Sequence, residues 1–233
     1  MMNTITIATL GKPMAAELYP SATTPAKGLV VIAYGSDGLT DNLSGPWATM
    51  IRGYASSLAE KGVTALIPHY LPVTDTTPGL GVFDVIARHR QRWLTALGDA
   101  VDQAATLAKV DAGHVGLLGF SLGGHLCLQL RAKARVVVEF FAPRLDGIGA
   151  PAALAHAQIH HGEADHGPGT DFSNAQAIAA TLKAEGTATE LFGYRGAGHG
   201  FIGDDQANKS ARDVAKARTL AFFQTHLDGR AKH

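Results

Sequence analysis

Polar and apolar residues alternate through Thr4-Ile5-Thr6-Ile7-Ala8, the period of a strand with one buried face. The alternation resumes from Ala15 to Tyr19, so the chain is expected to open with a hairpin turning at Gly11-Lys12-Pro13. The next apolar stretch differs. Gly28-Leu29-Val30-Val31-Ile32-Ala33-Tyr34 runs without polar interruption, as suits a strand covered on both faces. Pro46 to Lys61 then predicts a helix stopped by Gly62, and Val63 to Ile67 the strand after it. Val82 to Lys109 predicts a long helical stretch interrupted by Gly98, followed by a buried strand at His114 to Leu118 and a helix from Leu122 to Ala132. Further strands are expected at Arg135 to Phe140, Ala157 to His161 and Thr189 to Phe192, with helices at Phe172 to Glu185 and Asp205 to His226. Strands alternating with helices imply an α/β class, a mostly parallel central sheet with helices on both faces.

Residues 1–233 show no repeat or dividing linker and read as one domain, a length that α/β folds commonly reach undivided. Leu71 to Gly81, with Pro72 and Pro78, is the least regular stretch. It follows the carboxyl end of a predicted strand, where open α/β sheets place ligands, so it is either a pocket wall or a plain surface loop. Twenty basic residues balance twenty acidic ones, which favours neither nucleic acid nor an anionic membrane surface as partner. The single cysteine, Cys127, excludes an intramolecular disulfide framework and reads as a small buried residue of a helix. With no leader-like start and no spanning segment, the chain reads as cytoplasmic. Nothing in the pattern specifies an oligomer.

Chemistry enters at Gly119-Phe120-Ser121-Leu122-Gly123-Gly124, between a predicted strand and a predicted helix. In that context G-x-S-x-G is a sharp elbow that lifts a serine above the sheet edge, with glycines where side chains would collide. The amide of Leu122, opening the helix, is a candidate donor to a developing oxyanion. A second donor is expected from Tyr34-Gly35-Ser36-Asp37-Gly38, with Ser36 and Gly35 both open as candidates. A serine hydroxyl needs a histidine to accept its proton and a carboxylate to orient that histidine, and in this arrangement they follow in the order serine, acid, histidine. Of eleven histidines, His199 in Arg195-Gly196-Ala197-Gly198-His199-Gly200-Phe201 has the setting required, a glycine-rich loop after the last predicted strand. Asp165, after the preceding strand, is the expected acid, with Glu163 and Asp171 as rivals. His156, His160, His161 and His166 cluster around the same strand, but strand alternation sends His160 and His161 to opposite faces and no metal-ligand spacing is present.

These motifs together resemble the dienelactone hydrolase family of α/β-hydrolases. The elbow, the His161-Gly162-Glu163-Ala164-Asp165 loop and the Gly196-Ala197-Gly198-His199-Gly200-Phe201 loop carry the resemblance. It implies no cofactor and hydrolysis of a small-molecule ester or lactone. Two departures stand out: Ser121 occupies the position of the family's cysteine, and Gly35 that of a glutamate near the second oxyanion donor. A carboxylate that manages a thiol proton has less purpose beside a histidine-activated serine, so the comparison shifts toward serine esterases. The resemblance also suggests Arg88, Arg90 and Arg92 as a grip for a substrate carboxylate, against a reading as a solvated helix face. Tyr70, Phe201, Phe83 and Trp93 are candidates for an apolar pocket wall, or for core. Two other functions use the same residues: peptidase or acyltransferase chemistry, and ligand binding without catalysis on a hydrolase scaffold.

Overall fold

The computed structural model describes residues 2–167 and 169–228. The leading hairpin pairs β1 (Asn3–Thr9) with β2 (Lys12–Tyr19), but its turn is Leu10-Gly11. Both turn residues have positive φ, 50° and 74°, the two-residue geometry whose twist matches antiparallel strands. Pro13 therefore lies within β2, opposite Ala8, and the expected turn moves back by one residue.

Six strands follow: β3 (Gly28–Ala33), β4 (Val63–Pro68), β5 (Val115–Phe120), β6 (Val136–Phe140), β7 (His156–Gly162) and β8 (Ala188–Tyr194). With the hairpin they form one sheet in the order β1-β2-β4-β3-β5-β6-β7-β8, parallel from β4 to β8. Every residue of β3, β4 and β5 is buried, which is why their sequences are continuous apolar runs.

The helices are α1 (Trp47–Glu60), α2 (Val82–Ala108), α3 (Leu122–Gln129), α4 (Phe172–Ala184) and α5 (Gln206–Leu227). α1 and α5 meet on one face of the sheet, and α2 and α3 on the other. α2 runs without interruption through Gly98, where a Cβ would come within 3.2 Å of the Lys133 side chain. Alternation along β7 shows the two faces directly: His160 meets Thr219 of α5, whereas His161 turns toward Phe172 of α4. Among the described residues no helix is long and apolar enough to cross a membrane. The loops after β3, β5, β7 and β8 all leave from the carboxyl edge of the parallel strands, where Ser121, Asp165 and His199 converge.

Candidate active site

Ser121 is the single residue between β5 and α3, with φ 51° and ψ −119°, a conformation costing roughly 1–3 kcal/mol for a residue with a side chain. Two hydrogen bonds hold it: Ser121 N–H donates to Phe140 O at 2.9 Å, and its carbonyl accepts from His125 N–H at 3.1 Å. The flanking glycines are a steric requirement. A Cβ at Gly123 would lie 2.1 Å from the carbonyl oxygen of Ala33, and one at Gly119 would lie 2.4 Å from that of Gly123.

The acid and histidine loops are clamped to each other. Glu163 N–H donates to Tyr194 O and Ala164 N–H to Ala197 O, both at 3.0 Å. Gly162 permits that approach, since a Cβ there would fall 2.2 Å from Ala197 O. From α5, Asn208 Oδ1 accepts from Gly198 N–H at 3.1 Å, and the Arg212 guanidinium donates to the carbonyls of Phe201 and Gly203. The Phe141 ring meets the His199 ring edge-on at 4.8 Å.

With the loops so held, His199 Nδ1 lies 2.7 Å from Asp165 Oδ2, and His199 Nε2 lies 3.2 Å from Ser121 Oγ. Asp165 is 1 % exposed. Its Oδ1 accepts from Gly167 N–H at 3.0 Å and Thr170 Oγ–H at 2.9 Å, while Oδ2 also lies 3.3 Å from His161 Nε2. Burial alone would raise this carboxyl's pKa, but the hydrogen bonds from His161, His199 and Gly167 outweigh it and hold Asp165 well below the usual carboxylate range. An ionised Asp165 accepts, so Nδ1 of His199 carries the proton and Nε2 faces Ser121 with a lone pair. The rivals are elsewhere: Glu163 is exposed, and Asp171 is exposed beside His166.

Behind Asp165 lies a second layer that the sequence pattern did not reveal. His161 Nε2 is 2.6 Å from the Thr170 carbonyl, so that nitrogen donates, and Asp165 shares the same N–H. Glu139 of β6 projects from the same face of the sheet, one diagonal step from His161, and accepts from Ala142 N–H at 2.9 Å. Burial pushes the Glu139 carboxyl up to about 7, against the opposing charge of His161 and the Ala142 hydrogen bond. The folded chain thus binds a proton that the unfolded chain releases near 4.5, and the stability contributed by protonated Glu139 is lost as pH rises from there through about 7. Glu139→Gln keeps an oxygen for Ala142 N–H and has no charge to bury. Its melting temperature is expected to gain on the natural protein between about pH 5 and about pH 8, by the equivalent of roughly 1–3 kcal/mol. The buried His125 and His160, whose pKa values burial lowers to about 4 and about 3, weaken both proteins alike as pH falls, so they cancel in this difference. A constant difference in thermal melts across that range would contradict the assignment.

A cavity of about 470 Å³ opens beside Ser121 and His199, within the range of small-molecule sites. Gly35 and Ser36 line it, and a Cβ at Gly35 would lie 3.3 Å from Ser121 Cβ, so a longer side chain there would face Ser121. Gly79 and Leu80 make the irregular 71–81 stretch a wall of this cavity, and Gly79 N–H fixes Ser36 O at 2.9 Å. Phe83 is also in the wall, whereas Tyr70, Phe201, Trp93 and the three arginines Arg88, Arg90 and Arg92 are not. Tyr70 is fully buried, stacked on Tyr34 with its hydroxyl donating to Tyr34 O at 2.7 Å, so it is core. Phe201 packs behind His199 against Phe141 and Tyr194. Arg88 is exposed on α2 outside the lining, and Arg90 is paired with Asp146 at 2.7 Å. Trp93 is buried too, its Nε1–H donating to Thr74 Oγ1. Leu43, Ser44, Trp47, Gly167 and Thr170 are in the wall too, and no motif pointed to them.

The fold is shared widely among solved structures. A proposed dienelactone hydrolase of Klebsiella pneumoniae aligns at TM-score 0.74 with 18 % identity, over 96 % of this chain and 98 % of that one. An esterase of Pyrobaculum calidifontis aligns at 0.73 with 15 % identity, over 98 % and 86 %. The esterase Est2 of Thermogutta terrifontis aligns at 0.69 with 18 % identity, over 99 % and 95 %. No curated protein sequence matches the chain significantly. The family model for dienelactone hydrolases, in contrast, matches residues 15–227, nearly the whole sequence. The chain therefore belongs to the dienelactone hydrolase family of α/β-hydrolases and is a carboxylic ester hydrolase.

Proposed function

We propose that the protein is a serine hydrolase of small carboxylic esters or lactones, with Ser121 as nucleophile, His199 as general base and acid, and Asp165 as the group that orients His199. The observation that carries this reading is the relay of 2.7 Å from Asp165 to His199 and 3.2 Å from His199 to Ser121. In the proposed reaction His199 Nε2 takes the hydroxyl proton as Ser121 Oγ bonds to the ester carbonyl carbon. The carbonyl oxygen becomes an oxyanion, received by the amides of Leu122 and Ser36. Collapse breaks the bond to the alcohol oxygen, which leaves with the proton from His199, and an acyl-serine remains. Water attacks that ester with His199 again as base, releasing the acid and restoring Ser121.

The reading is tested with paraoxon, by which the Thermogutta terrifontis esterase 2 is phosphorylated. One diethylphosphoryl group per chain is expected on the tryptic peptide containing Ser121, with ester hydrolysis lost in proportion. Hydrolysis that persists in a protein fully modified at Ser121, or inhibition with the adduct on another residue, would refute it.

A further inference from the structure

Eight large apolar residues are exposed among the described residues, and three of them, Leu43, Leu80 and Phe83, gather at one cavity, the one beside Ser121. They are 53 %, 83 % and 41 % exposed, and they come from two segments: Leu43 from the loop after β3, Leu80 and Phe83 from the turn that opens α2. Below them the wall continues into Trp47, which is buried. An apolar rim that runs inward onto an apolar wall is a surface whose exposure a ligand relieves.

The charges of the cavity are equally informative. Among the described residues no lysine or arginine lines it, and Asp37, only 9 % exposed, is the single acidic side chain in the lining. Asp37 is built in: its Oδ2 accepts from Ser44 N–H at 3.2 Å and from the Ser44 hydroxyl, and Trp47 Nε1–H donates to Ser44 Oγ at 2.9 Å. The other ionisable group in the lining, His199, is committed to Asp165. A carboxylate brought in with the substrate would lose water, meet a charge of its own sign and find no cationic side chain.

Resting on the hydrolase reading above, we infer that the site takes uncharged esters whose larger group is an apolar chain or ring lying along Trp47, Leu80 and Phe83, and that it discriminates against substrates carrying a carboxylate. Leu80 and Phe83 act as specificity-determining residues, and Asp37 as the electrostatic filter. Carboxylated lactones are thereby disfavoured.

The test uses the full chain and two sets of esters. In p-nitrophenyl esters from acetate to octanoate, or alkyl acetates of the same lengths, kcat/KM is expected to rise about threefold per methylene in at least one series until the cavity is filled. p-Nitrophenyl hexanoate is expected to exceed the p-nitrophenyl monoester of glutarate by about tenfold or more, with the difference mainly in KM. Leu80→Ser and Phe83→Ser should each lower the ratio of hexanoate to acetate specificity, and Asp37→Asn should narrow the gap between hexanoate and the glutarate monoester. Flat length series, or a glutarate monoester cleaved as well as hexanoate, overturn the assignment while acetate turnover and a paraoxon adduct on Ser121 leave the hydrolase reading standing. Absence of both turnover and adduct overturns the two together.

Discussion

Ser121→Ala is expected to lower kcat for p-nitrophenyl acetate by about 10⁴-fold or more while leaving the thermal midpoint within a few degrees of the natural protein. Among the described residues the hydroxyl's hydrogen-bond partner is His199 Nε2, at 3.2 Å, and Ser121 is held in place by backbone bonds to Phe140 and His125. Alanine keeps both backbone bonds, so the elbow persists without its hydroxyl. The amides of Leu122 and Ser36 would remain, and a residual rate above that of water is expected from them. Stopped-assay kinetics on the purified variant, with differential scanning fluorimetry alongside, separate loss of chemistry from loss of fold. Undiminished turnover would remove Ser121 from the mechanism. An inactive natural protein that binds an ester unchanged, with affinity retained in the variant, would instead support a binding role on the same scaffold.

The features legible in the sequence were those in which one residue type meets one steric demand. The elbow was readable because Gly119 and Gly123 pass within van der Waals distance of neighbouring backbone, which no other residue tolerates. The acid and histidine loops were readable for a related reason, Gly162 lying against the Ala197 carbonyl. Apolar runs located β3, β4 and β5 because those strands are buried on both faces. The pocket wall was another matter. Residue type marks Tyr70, Trp93 and Phe201 as buried, but what each is buried against depends on how separate loops fold back, and all three pack in the core. Leu43 and Leu80 sit in irregular segments with no periodicity to place them. Glu139 was hidden inside an apolar strand, and its relation to His161 exists only through the register of β6 on β7. The hairpin turn was misplaced because Pro13 reads as a turn residue, whereas Leu10 adopts the positive φ that the two-residue turn demands.

Asp165→Asn is expected to cost nearly as much activity as removing the serine, about 10³- to 10⁴-fold in kcat, and the hydrogen bonds around the carboxylate dictate how. Gly167 N–H and Thr170 Oγ–H both donate to Oδ1, so an asparagine at 165 keeps its amide oxygen there. Its NH₂ group then occupies the place of Oδ2, 2.7 Å from His199 Nδ1. Facing a donor, Nδ1 must accept, which moves the imidazole proton to Nε2, the nitrogen that should receive the proton of Ser121. The same NH₂ also confronts His161 Nε2–H, already donated to the Thr170 carbonyl, so two donors face each other in a buried site. Asp165→Asn is therefore expected to lose stability as well as rate, by roughly 1–3 kcal/mol, unlike Ser121→Ala. Thermal melts and ester hydrolysis on the two variants separate these effects; an Asp165→Asn protein with near-normal kcat would show that His199 does not depend on this carboxylate.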